Sequence, residues 1–91
     1  MNYGLGVAGD ARADVHAMAP WLQEEFWDEL ERLAANPSLL PSPSASGDIL
    51  YKFQRISANV KHTITMTISR NDVVKKVIVL GIKYRQHRRR G

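Results

Sequence analysis

The stretch that decides the fold is Val60-Lys61-His62-Thr63-Ile64-Thr65-Met66-Thr67-Ile68-Ser69. Val60, His62, Ile64, Met66 and Ile68 alternate with Lys61, Thr63, Thr65, Thr67 and Ser69. A period of two puts one set on each face of a β-strand. One face is therefore apolar and must be covered. The other carries hydroxyls and a lysine and can stand in water.

Working outward, Ser57-Ala58-Asn59 reads as a turn, and before it Ile49, Tyr51 and Phe53 alternate with Leu50, Lys52 and Gln54. This is a second strand with the same division of faces. On the other side, Arg70-Asn71-Asp72 reads as a turn. Val73 to Ile82 follows, apolar on both faces over Val77-Ile78-Val79-Leu80, as expected of a strand inside a sheet. Lys83 to Gly91 then reads as a basic tail.

The first half has a different period. Tyr3, Leu5 and Val7 suggest a short strand, weakened by Gly4 and Gly6. Asp10 is expected to cap a short helix whose face is Ala11, Val15 and Met18, ending near Ala19-Pro20. Pro20 suits the first turn of a second helix. Leu22, Phe26, Leu30 and Leu33 recur at spacings of four, four and three, with Trp27 widening the stripe and Trp21 at its start. Glu24, Glu25, Asp28, Glu29 and Glu31 are expected on the solvent face, and Asn36-Pro37 should end the helix. Residues 37–48, with three prolines, four serines and a glycine, read as a loop pinned by Leu39 and Leu40.

Together these elements give an α+β fold. Two N-terminal helices pack on one face of a small, mainly antiparallel sheet of three to four strands, in a single domain over residues 1–91. The other face should carry Lys52, Gln54, Lys61, the threonines and the basic tail.

Charge is sorted along the chain. Residues 1–47 hold two basic and seven acidic side chains, a net −5, while residues 48–91 hold eleven and two, a net +9. With a net charge of +4 and a pI near 9.8, the second half points to a polyanionic partner. The chain has no cysteine, so disulfides and thiol chemistry are excluded. It has no apolar run of membrane-spanning length and no visible signal peptide, so a cytoplasmic setting is the expectation. Gly4-Leu5-Gly6 lacks the context of a phosphate loop, and three scattered histidines do not suggest a metal site.

At this point the chain resembles the RelE/ParE superfamily of type II toxins. The pieces that carry the likeness are Tyr3–Val7, the helix end Leu33-Ala34-Ala35-Asn36-Pro37, and the strands Ile49–Arg55, Lys61–Met66 and Val77–Arg85 in that order. The resemblance implies a twisted sheet with two helices on one face and neutralisation by a cognate protein antitoxin in a hetero-oligomer. It also implies, for the ribonuclease members, cleavage of mRNA at the ribosome with no metal or other cofactor. Gyrase-directed members share the fold without that chemistry, and an inactive antitoxin-binding member is a further alternative. Carried onto this sequence, the catalytic candidates are Lys52, Lys61, Arg85, His62 and Tyr84. The RNA-binding candidates are Arg55, Lys83, His87, Arg88, Arg89 and Arg90. Where some members have a second strand lysine, this chain has Gln54. His62 also falls in phase with the apolar set, which favours a structural place at the sheet's end.

Overall fold

The computed structural model describes residues 3–88; Arg89 and Arg90 lie outside them. The elements are β1 (Gly4–Val7), α1 (Gly9–His16), α2 (Pro20–Ala35), a 3₁₀ turn (Pro37–Leu39), β2 (Ile49–Ser57), β3 (Val60–Asn71) and β4 (Lys76–Arg88). The sheet order is β1-β4-β3-β2. β2, β3 and β4 form the antiparallel meander, and β1 joins its edge parallel to β4.

Both helices lie on one face. Val15, Leu22, Phe26, Leu30 and Leu33 pack there against Ile49, Phe53, Ile64, Met66, Ile68, Val77 and Val79, all buried. The alternation of β3 thus meets the helical stripe as its two periods require. Of the two loop leucines, Leu40 is buried and Leu39 exposed.

Three local expectations are corrected. The first helix starts at Gly9 and its cap is Ala8, which makes no side-chain bond. The Ala8 amide is held by the Val79 carbonyl at 2.8 Å, so the chain stays on the sheet until residue 8 and turns at once. Asp10 then falls in the first turn, where its charge still meets the positive end of the helix. That helix ends at His16 because Ala19 precedes a proline and is extended, with ψ of 145°.

The last strand starts at Lys76, not Val73, and runs to Arg88, so most of the expected tail is strand. Asn71 explains the late start. Its Oδ1 accepts the amides of Val73 and Val74 at 2.9 and 3.1 Å, which withdraws both from the ladder. Val73 is left 91% exposed. The late finish follows from β3, whose pairing continues to Val60 opposite Arg88. Between Thr67 and Ile68 the register shifts by a bulge, which places Leu80 as the extra residue.

The third correction concerns Glu29, which is only 5% exposed. Its carboxylate is the junction of α2 and β2. Arg32 Nη2 and the Tyr51 hydroxyl donate to Oε1 at 2.6 and 2.5 Å, and Arg55 Nη2 donates to Oε2 at 3.3 Å. Arg55 Nε also donates to Glu25 at 3.2 Å. Burial pushes the Glu29 carboxyl up, but the Arg32 and Tyr51 hydrogen bonds and the two arginine charges outweigh it, so it ionises below the ordinary carboxylate range. Burial and the neighbouring Glu29 carboxylate hold the Tyr51 hydroxyl above its ordinary value.

Two predictions follow from these features. Because the folded Glu29 carboxyl ionises at lower pH than the unfolded one, its contribution is present above the unfolded value of about 4.3 and is lost as pH falls through the folded value. Glu29→Gln should cost about 1.5–3 kcal/mol in urea melts at pH 7, the range for hydrogen bonds to charged groups. The gap from wild type should narrow in melts near the acid limit of stability. The β2–β3 hairpin turns on Ala58 and Asn59 at φ of 51° and 64°. Left-handed alanine is strained, and such two-residue turns favour Asn-Gly. The double change Ala58→Asn, Asn59→Gly should stabilise the protein by roughly 1 kcal/mol, read as a higher urea midpoint with unchanged slope.

Candidate nucleic-acid interface

Register fixes which residues share the open face, because residues opposite one another across strands lie on the same side of the sheet. Three rows cross the antiparallel strands: Lys52·Thr65·Lys83, Gln54·Thr63·Arg85 and Ile56·Lys61·His87. Lys52, Lys61, Lys83, Arg85 and His87 therefore share the face that no helix covers.

The first two rows shape a shallow open hollow of about 150 Å³, lined by Lys52, Thr63, Thr65, Lys83, Tyr84 and Arg85. Lys52, Lys83 and Arg85 are exposed, and none of them makes an ion pair among the described residues. No acidic side chain lines the hollow. Three cations held near one another on a rigid sheet, beside two hydroxyl groups, form a site suited to phosphate. Arginine offers a planar two-pronged donor, and lysine a point charge. Thr63 and Thr65 were not among the residues singled out from the sequence, although their parity with Lys61 put them on this face.

The other candidates lie elsewhere. Lys61 and His87 share the open face one row beyond the hollow and do not line it. Arg55 is in phase with Phe53, faces α2 and is held by Glu25 and Glu29, so it stands apart from the cationic group. Arg88 pairs with Val60 at the very end of the sheet, on the helix side by parity.

His62 and Tyr84 also have helix-side parity, since Tyr84 is opposite Ile64. Here the apolar stripe gives way to polar rings. His62 Nδ1 and the Tyr84 hydroxyl share a hydrogen bond of 2.5 Å, and Gln86 Nε2 donates to the same hydroxyl at 2.8 Å. The Trp21 ring stands edge-on to His62 at 5.0 Å. Tyr84 thus borders the hollow and also anchors an aromatic group behind it. Gln86 and Trp21 as neighbours of His62 were not legible from local sequence, because both contacts depend on how far β4 and α2 extend.

A two-helix layer on a mixed four-stranded sheet of order β1-β4-β3-β2 is shared with known structures. The chain matches RelE from Escherichia coli, solved as a mutant in the free state, with a TM-score of 0.68 over 90% of this chain and 82% of that one, at 16% identity. The fold is that of the RelE toxins. It matches the RelBE2 toxin–antitoxin complex of Mycobacterium tuberculosis with a TM-score of 0.67 over 93% of this chain and all of that one, at 15% identity. The intact E. coli RelBE complex gives 0.66 over 88% and 93%, again at 15% identity. No protein-family model matches the sequence, and a sequence search of curated proteins finds no match. At this identity the likeness to RelE is one of fold, and the chemistry has to be argued from the hollow.

Proposed function

We propose that the protein is the toxin of a type II toxin–antitoxin pair, an endoribonuclease that cleaves mRNA at the ribosome and is neutralised by a protein antitoxin in the cytoplasm. The observation that carries the reading is the hollow of Lys52, Lys83 and Arg85 on the uncovered sheet face. The RelE fold supports the toxin class, and two of the similar structures are toxin–antitoxin complexes.

The chemistry asked of the protein is modest. The RNA 2′-oxygen attacks the adjacent phosphorus, the bond from phosphorus to the 5′-oxygen breaks, and a cyclic phosphate and a free 5′-hydroxyl result. The 2′-hydroxyl loses a proton and the 5′-oxygen gains one. Lys52, Lys83 and Arg85 offset the charge that grows on the phosphate oxygens, and being fixed on strands they need little reorganisation. Tyr84 and His62, joined by a hydrogen bond at the border of the hollow, are the groups suited to proton transfer. Lys61, one row beyond the hollow, and Arg88, at the end of the sheet, extend the positive field along which RNA is drawn, with His87 beside Lys61 as a further polar contact.

Induced expression in bacteria, with messages mapped by primer extension, tests the reading. Growth arrest with cuts inside translated messages is expected, and arrest with intact messages would move the target to a protein such as gyrase. Arg85→Ala should lower single-turnover cleavage about 10²–10³-fold, as loss of one preorganised donor does elsewhere. Its folding stability should stay within about 0.5 kcal/mol of wild type, as is usual for an exposed side chain.

A further inference from the structure

The chain has glutamines at positions 23, 54 and 86, and the fold uses the first and the last. Gln23 donates through Nε2 to the Met18 carbonyl at 2.8 Å, and Gln86 donates to the Tyr84 hydroxyl at 2.8 Å. Gln54 is exposed. Its backbone carbonyl accepts from Arg55 at 2.9 Å, but among the described residues its side-chain amide has no partner. Register places that side chain on the open face, across Thr63 from Arg85 and two residues along β2 from Lys52. Between Cα atoms these separations are about 10 Å across the sheet and about 7 Å along the strand. Gln54 therefore stands at the rim of the hollow without lining it.

The next open-face position of β2 is Ile56, a large apolar side chain left 57% exposed. β2 ends the sheet on this side, so no strand lies beyond Gln54 and Ile56. The edge of the cationic face thus offers a free amide beside an apolar surface. A phosphate in the hollow goes to the lysines and the arginine, which hold it more strongly than a neutral amide does. The amide is left for a group that needs both a donor and an acceptor.

We propose that Gln54 is a specificity-determining residue that reads the edge of an adenine next to the phosphate held by Lys52, Lys83 and Arg85, with Ile56 as the apolar contact beneath the base. This assignment rests on the ribonuclease reading and names what that site selects. Lysine and arginine only donate, and the threonines are too short to reach past the cations. A carboxamide carries an acceptor and a donor side by side. An unpaired base exposes both its Watson–Crick and its Hoogsteen edge. Adenine shows an adjacent donor and acceptor on each, N6 with N1 and N6 with N7. Guanine shows two acceptors, O6 and N7, on its Hoogsteen edge, and the pyrimidines have no ring nitrogen there. The Gln54 amide therefore fits adenine through either edge and every other base through one only.

The test maps cuts by primer extension in bacteria that express the full chain as wild type, Gln54→Ala or Gln54→Arg, with base frequencies normalised to the messages. Wild-type cuts are expected to carry adenine at one fixed position beside the cut about tenfold more often than any other base, the size of one good bidentate contact. Gln54→Ala should cut the same messages with no base favoured at that position. Gln54→Arg should move the preference to guanine, because arginine bonds O6 and N7 together. Thermal melts of both purified variants confirm that they are folded. Identical base frequencies for wild type and Gln54→Ala would overturn base reading by Gln54 while the ribonuclease reading stood. A preference that Gln54→Ala removes, but for a base other than adenine, would overturn the assignment of adenine. If wild type made no cuts, the ribonuclease reading would fall and base reading with it. Should Gln54→Ala not fold, Gln54→Arg carries the test, and an unchanged preference in that variant would overturn the role of Gln54.

Discussion

Two helices of eight and sixteen residues cannot cover a sheet whose longest strands have twelve and thirteen. That mismatch governs the molecule. The helices bury one face over the rows from Ile49 to Ile64, and the apolar alternation of β3 lasts about as far as their cover does. Beyond it the helix-side positions become Arg55, His62, Tyr84 and Gln86, which bond to one another or to α2. The sheet end is therefore polar on both sides, without an orphaned buried side-chain group among the described residues. A longer second helix would have required apolar residues at these positions and left no Tyr84 ring at the border of the hollow.

The same layering sorts charge in space. The acids of α2 sit on the helix side, and two of them, Glu25 and Glu29, hold Arg55 there. The cations of opposite parity face water, with no acid among the residues of the hollow. Arg55 on one side and Lys52 on the other are three residues apart on one strand, yet the first is neutralised and the second is free. Strand parity, more than distance along the chain, decides which positive charges are available to a polyanion. Glu29 serves this arrangement twice, because it pins β2 to α2 through Tyr51 and removes Arg55 from the free set.

Much of this was legible in the sequence. The alternation of Ile64, Met66 and Ile68 gave the covered face, and its complement gave Lys52 and the threonines. The spacing of Leu22, Phe26, Leu30 and Leu33 gave the helix that covers them. Other features were hidden for physical reasons. Periodicity treats a charged residue as solvent-facing, so Glu29 was expected outside; burial became tolerable only through three donors from separate places in the chain. Val73 and Val74 have the composition of a strand, but a local competitor, the Asn71 side chain, takes their amides. The parallel pairing of β1 with β4 joins segments about seventy residues apart, and no local pattern encodes that choice. Arg55 was readable, since its phase with Phe53 already put it on the helix side.

The exposed cations have a second physical role, and it sharpens the reading of the hollow. β2 is an edge strand throughout, and β4 becomes one past Val79. Charged side chains on free edges discourage pairing with another chain. Lys52 and Lys83 would serve that purpose with any residue between them on β3. What edge protection does not require is a short polar residue at each intervening position. Lys52 and Lys83 stand two strand spacings apart, about 10 Å, with only Thr65 between, and Thr63 lies between Gln54 and Arg85. A long side chain at either threonine would fill the space into which the cations reach. The threonines make the difference between a protected edge and a recess that can hold a phosphate, and it is this central strand, more than the count of arginines, that favours a binding site over a solvated basic face.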